Sequence, residues 1–241
     1  MIVLLLACFS IAEDCPTGSL TVDDKNINAN KYEQCTSITQ LELTNNVETI
    51  GDSAFYNCTG ITSKLSIPSS VISIGDNAFS YSGITSISFN SDLKTIGDGA
   101  FANCNSIENI NSLPSALLSI GISAFENCTI MQNSRYPFHI PENLTVISKR
   151  AFYDCQKIDS IVLGKNVNKI EEYAFYNCKS FTLQRNNDGD YFPEKLQTIE
   201  DYAFYNCKGF DNNYNYETLK FDDSVEKIGD YSFYNWQKLH T

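Results

Sequence analysis

Cysteine is the residue type in this chain whose placement could do chemistry. Six of the nine cysteines, Cys58, Cys104, Cys128, Cys155, Cys178 and Cys207, stand three residues after a phenylalanine. Thiolates in such a series could bind a metal, form a disulfide chain or act as nucleophiles. Each role makes a geometric demand. Metal ligands converge on one point, usually four to an ion. Disulfide partners aim at each other. A cysteine nucleophile needs an accessible thiolate beside a base. The only imidazoles are His139 and His240. His139 lies between Phe138 and Ile140, so strand alternation turns it outward, and His240 is the penultimate residue. There is no G-x-G-x-x-G, P-loop, H-E-x-x-H or G-x-S-x-G. The stretch QRNNDGD at 184–190 has a calcium-loop composition, but Gln184 and Lys195 occupy its first and twelfth positions, which need carboxylates. The expectation is no metal, no cofactor and no enzyme.

The cysteines belong to a longer pattern. GDSAFYNC at 51–58 is followed by GDNAFSYS at 75, GDGAFANC at 97, GISAFENC at 121, KRAFYDC at 149, EEYAFYNC at 171, EDYAFYNC at 200 and GDYSFYNW at 229. The phenylalanines fall at 55, 79, 101, 125, 152, 175, 204 and 233, spaced by 22 to 29 residues. Upstream, ITQLELTNNVETI (38–50) and IDSIVLGKNVNKI (158–170) carry L-x-x-L-x-L-x-x-N-x-L in aliphatic form, while LSIPSSV and FHIPENL place a proline after the strand. That period and pattern are those of leucine-rich repeats. The unit resembles the BspA-like class of leucine-rich repeats, with I-G-x-x-A-F-x-x-C as its second half, and the resemblance covers about residues 38–236. Three coils depart from it at the first strand position, which holds Asn111, Asp190 and Leu219.

The expected fold is an α/β repeat solenoid of about eight coils. Parallel strands form the concave face and short helical or 3₁₀ turns the convex side. In each strand alternate residues point inward, as in Leu41/Leu43, Leu65/Ile67, Phe138/Ile140 and Ile161/Leu163. Asp52, Asp76, Asp98 and Asp230 sit where an oxygen could cap a helical turn, and Ala54 and Cys58 would share its buried face. Each coil is too thin to bury these groups alone and buries them against the next copy. Equivalent cysteines in stacked coils point the same way, so they read as small buried hydrophobes, and Ser82 replaces one of them.

Cys15 and Cys35 stand outside this register and suit a disulfide in an N-terminal cap spanning 13–37, ahead of a solenoid over 38–241. Residues 1–12 form an apolar run with small Ser10 and Ala12, the pattern of a signal peptide ending before Glu13. The formal charge of -12 and pI of about 4.5 argue against nucleic acid as a partner. No stretch is long enough to span a membrane.

The resemblance implies a binding surface along the outward strand residues: Glu42, Ser66, Ser88, Ser112, His139, Val162, Tyr191 and Lys220. Extra residues collect between the phrase and the next strand, in MQNSRYPF, FTLQRNNDGDY and FDNNYNYET. Tyrosine with asparagine and serine is also the chemistry of antibody paratopes, which adds Tyr136, Tyr214 and Tyr216 to Tyr191 as contact candidates. Of three N-x-[ST] sequons, at Asn57, Asn127 and Asn143, the last is the best glycosylation candidate. BspA-like proteins are typically secreted or surface proteins of microbes, so the resemblance implies an extracellular module adhering to host matrix or cell-surface proteins. The alternative is an intracellular scaffold that retains residues 1–12. The C-terminal end offers a surface for self-association.

Overall fold

The eight phrase phenylalanines form one continuous internal column in the computed structural model, which describes residues 15–110, 112–131, 137–186, 189–210 and 221–236. Successive rings are stacked, from 5.2 Å between the centroids of Phe55 and Phe79 to 5.6 Å between Phe125 and Phe152. The rings from Phe55 to Phe204 are wholly buried. Eight rings are separated by seven turns of a parallel-strand β-solenoid of leucine-rich-repeat type.

Two parallel strand ladders run along this column. The first takes the L-x-L segments: Gly18–Val22 pairs with Ile38–Leu43, then Lys64–Ser66, Ser86–Ser88 and Asn109–Ile110 form one sheet, and Phe138–His139, Ser160–Val162, Thr182–Leu183 and Gly209–Phe210 form another. The second takes the residue pair ending in Ile of each coil, with Asn26–Ile27, Thr49–Ile50, Ser73–Ile74, Thr95–Ile96 and Ser119–Ile120 in one sheet and Val146–Ile147, Lys169–Ile170, Thr198–Ile199 and Lys227–Ile228 in the next. Both ladders turn aliphatic side chains inward: Leu41, Leu65, Ile87 and Ile161 from the first, and Ile50, Ile74, Ile96 and Ile170 from the second, are buried.

The third side is where the expectation of helical turns fails. Among the described residues no helix forms, and the phrase is instead a chain of tight turns. Ser53 and Asn57 have φ of 53° and 55°, and equivalent positions two before and two after each phenylalanine repeat this sign. Ala54 N–H donates to Gly51 and Cys58 N–H to Phe55, so each positive φ falls at the third residue of an i to i+3 turn, as in a type II turn. A left-handed residue every fourth position forbids a helix. It also swings N–H groups sideways: Ser53, Phe55 and Asn57 donate to Asp76, Ala78 and Ser80 of the following coil at 2.7 to 2.8 Å. Asparagine tolerates this conformation, which explains the N of the Y-N-C spelling. The aspartates cap the neighbouring coil rather than their own: Asp52 Oδ1 accepts from Asp76 N–H at 2.9 Å, and Asp76 Oδ1 from Asp98 N–H at 2.7 Å. The glycine of I-G-D is where coils touch, since a Cβ on Gly75 would lie 2.7 Å from the backbone nitrogen of Asp52.

The N-terminal segment is itself a coil of the same section. Tyr32 stacks on Phe55 at 5.2 Å, and Asn30 and Gln34 carry the two positive φ angles. Cys35 therefore lies three after the ring and is in register, contrary to the sequence expectation; tyrosine in place of phenylalanine had hidden it. Cys35 is disulfide-bonded to Cys15, with Cα atoms 5.4 Å apart. Further along, Trp236, only 5% exposed, packs edge-on to Phe233 at 4.8 Å.

Phe125→Ala removes a ring packed on both sides. It is expected to lower stability by about 3–5 kcal/mol, read as a shift of the urea midpoint.

Candidate functional site

The six phrase cysteines share one role. Each thiol donates to the backbone carbonyl of the ring residue one coil earlier: Cys58 to Tyr32 at 2.9 Å, Cys104 to Phe79 at 3.0 Å, Cys128 to Phe101 at 3.2 Å, Cys155 to Phe125 at 3.1 Å, Cys178 to Phe152 at 3.0 Å and Cys207 to Phe175 at 3.1 Å. Burial pushes the Cys104 thiol up to about 11 and Cys58 to about 12, and raises the other four as well. Protonated, spent as donors and pointing in parallel, they are poor nucleophiles and poor ligands. Among the described residues no group of histidine, cysteine and carboxylate side chains is arranged to hold a metal ion.

The first-strand face brings together part of the expected row. Glu42, Ser66 and His139 are exposed, and Ser88 and Val162 are half-buried. Ser66 lies beside Ser88, and His139 beside Val162. His139, Val162, Glu142, Lys165 and Asn186 line a shallow hollow of about 240 Å³. Three coils differ from the expected register. Ile110, not Asn111, pairs with Ile87, so Ser112 is exposed but lies beyond the strand. Leu183 pairs with Ile161 and Phe210 with Leu183, so the strands of those coils precede the insertions instead of following them. The spelling misled because Leu183 and Phe192 are both buried and a loop separates them. Tyr191 therefore sits in that loop, half-buried, with the Arg185 guanidinium 4.9 Å from its ring centroid. Residues 1–12, Tyr136, Tyr214, Tyr216 and Lys220 lie outside the described residues. Asn143 is exposed and its amide donates to Ser115 at 3.0 Å, whereas the Asn127 amide is engaged with Asn103 at 2.9 Å.

The turn face was missed, and it carries the more distinctive chemistry. Positions two before and one after each phenylalanine lie along it, most of them exposed or half-buried and Ser80 and Ala102 buried. In the later coils both hold tyrosine. Tyr173, Tyr202 and Tyr231 stack at 5.0 and 5.2 Å, and Tyr153, Tyr176, Tyr205 and Tyr234 at 4.9, 4.8 and 4.9 Å. Stacking covers the ring faces and leaves edges and hydroxyls outward, except at the end, where Tyr231 and Tyr234 are more than half exposed. Burial first, then the neighbouring Tyr153 and Tyr205, raises the Tyr176 phenol above its ordinary value. Beside the columns runs an amide ladder, Asn235 to Asn206 to Asn177, with donor–acceptor distances of 2.6 Å. Arg150 holds the position of Tyr173 one coil earlier: its guanidinium lies 4.3 Å from the Tyr153 centroid and bonds Glu126 at 2.6 Å. In the earlier coils the same positions hold Ser53, Asn77, Gly99, Ser80 and Ala102, and their small size leaves a hollow of about 510 Å³. Tyr56, Tyr81, Ile122, Glu33 and Asp98 also line it, with Tyr81 and Ile122 nearly half exposed. The signal was present in the variable letters of the phrase, which the eye passes over in favour of the constant ones.

The sequence profile of a family described as BspA type leucine rich repeat region matches six copies, over residues 25–137, 131–209 and 208–241. A leucine-rich repeat protein from Eubacterium ventriosum is similar in structure, with a TM-score of 0.53 and 24% identity over 92% of this chain. This chain spans 58% of that protein. A leucine-rich repeat protein from T. pallidum gives a TM-score of 0.49 and 20% identity, over 88% of this chain and 76% of that one. No match was found among curated proteins.

Two outcomes follow from the thiol ladder. The six phrase thiols stay unmodified by a disulfide-exchange reagent at pH 8 until the chain unfolds. Stability also falls above the ordinary thiol value of about 8.5, because the unfolded chain releases protons that the native state keeps. Cys104→Ser removes one such thiol, so the decline of the unfolding free energy from urea titrations between pH 9 and 10.5 flattens, by up to about 1.4 kcal/mol per pH unit.

Proposed function

The chain belongs to the BspA-type leucine-rich repeat family, and from that premise we propose that it is a protein-binding module acting outside the cell or at its surface, by adhesion to matrix or cell-surface proteins of a host. The observation that carries the reading is the turn-face hollow, in which exposed Tyr81 and Ile122 stand among Asn77, Asn103, Ser53 and Asp98. Aromatic and aliphatic area surrounded by adaptable amide and hydroxyl groups suits recognition of another protein. The solenoid keeps these side chains on a rigid hydrogen-bonded frame, which lowers the ordering cost of binding. The first-strand hollow by His139 and Val162 is a second contact surface in this reading, with Tyr136, Tyr191, Tyr214 and Tyr216 offered by the insertions.

An extracellular setting is supported by the Cys15–Cys35 disulfide, because such bonds persist in oxidising compartments. The apolar run at 1–12 fits a removed signal peptide, and exposed Asn143 fits a glycan acceptor. Among the described residues no helix is long and apolar enough to cross a membrane. Self-association through the C-terminal coil is a further part of the proposal.

Surface plasmon resonance of the purified chain against a panel of purified matrix proteins tests adhesion. Saturable binding that weakens at least about tenfold in the double variant Tyr81→Ala, Ile122→Ala is expected. Binding to no member of the panel would remove adhesion to matrix. Mass spectrometry of the protein isolated from cells together with their medium should find Glu13 at its N-terminus, and an intact Met1 confined to the cells would favour an intracellular scaffold instead.

A further inference from the structure

The turn face holds one arginine seat that the chain fills itself, and the parts of that seat occur together once more without an arginine. In the filled seat Arg150 stands two residues before Phe152, and Tyr153 one after it. The guanidinium lies over the Tyr153 ring at 4.3 Å, and Nη2 donates to Glu126 Oε1 at 2.6 Å. Glu126 follows the phenylalanine of the preceding coil. A ring and a carboxylate at one register position of consecutive coils thus hold the cation between them. The register is set by the backbone, where Asn127 N–H donates to the Tyr153 carbonyl at 2.8 Å.

The same frame recurs near the N-terminus. Tyr56 follows Phe55, and Glu33 follows Tyr32, the ring one coil earlier. Gln34 N–H donates to the Tyr56 carbonyl at 2.7 Å, the counterpart of the bond from Asn127. The position of Arg150 is taken by Ser53, with φ of 53° against 56°. Glu33, Ser53 and Tyr56 all line the 510 Å³ hollow, and the Tyr81 ring stands edge-on to Tyr56 at 5.7 Å as a further wall. No other coil pairs a tyrosine at this position with a carboxylate one coil before it.

We infer that Glu33, Ser53 and Tyr56 form an open arginine slot, which takes the guanidinium of an arginine side chain on a partner protein. That the arginine belongs to a protein rests on the binding-module reading above; the slot rests on the geometry. A planar guanidinium can lie over the Tyr56 ring and bond the carboxylate at once, whereas a lysine ammonium is a hydrated point charge that does not stack. The formal charge of -12 adds a long-range attraction for a basic segment.

The test is an NMR titration of the full chain, its tyrosine rings carbon-13 labelled, with acetyl-Gly-Arg-Gly-amide and with its lysine and citrulline twins. The Tyr56 ring signal, assigned with Tyr56→Phe, should shift saturably with the arginine peptide. It should respond about fivefold or more weakly to the lysine peptide and not to citrulline. Glu33→Gln should weaken the arginine response about fivefold. Ser53→Arg should abolish it by filling the slot from within, and the chain already accommodates arginine in that backbone conformation at position 150. Equal responses to arginine and lysine, no Tyr56 shift, or a shift that survives Ser53→Arg would each overturn the inference. A slot response without any bound matrix protein would sink the adhesion reading and leave the slot; a bound protein without a Tyr56 response would sink the slot alone.

Discussion

Everything in this molecule depends on coils stacking in register at the thickness of one backbone. A single coil exposes a ring, a thiol, an alanine and several aliphatic groups that it cannot cover, and the next coil covers them with its own copies. The Phe column shows the constraint most plainly. Ring spacings of 5.2 to 5.6 Å slightly exceed the usual strand spacing of about 4.8 Å, so the rings touch while backbone bonds set the pitch. Polar groups obey the same rule: aspartate oxygens, cysteine thiols and asparagine amides each bond the neighbouring coil, so what one coil leaves unsatisfied another completes. A buried group without such a partner would cost free energy in every copy.

The left-handed turns convert that stacking rule into surface. Residues two before and two after each ring have positive φ, and the turn places two positions per coil, two before and one after the ring, on this face. The chain uses these positions differently along its length. Tyrosines fill them in the later coils and make a ridge of ring edges and hydroxyls; in the earlier coils Ser53, Asn77, Gly99, Ser80 and Ala102 leave a hollow beside Tyr56. One regular backbone therefore carries a convex patch and a concave one on the same face, decided only by side-chain size. The insertions act separately, opening from the first-strand ladder at 184–191 where the strand would otherwise continue.

The thiols illustrate how environment overrides intrinsic reactivity. A series of six cysteines in a repeat invites a reactive or metal-binding account, yet parallel orientation and desolvation leave each one a small apolar group with a single weak donor. The pair that is oxidised, Cys15 and Cys35, differs because Cys15 comes from outside the repeat and bonds the in-register Cys35.

The repeat length, the inward aliphatic pattern, the Phe column and the burial of the cysteines were all legible in the sequence. Each is a local demand written identically in every copy, so eight spellings of one phrase define one cross-section. The helical turns, the register of the coils with insertions and the membership of Tyr32 and Cys35 in the ladder were misread. Residues four apart fit a helix and a pair of tight turns equally well, and only the sign of φ separates them. The ridge, the hollow and the Glu33–Tyr56 juxtaposition were decided by tertiary structure alone. They unite side chains more than twenty residues apart, and backbone bonds between coils, which no single stretch of sequence contains, hold them in register.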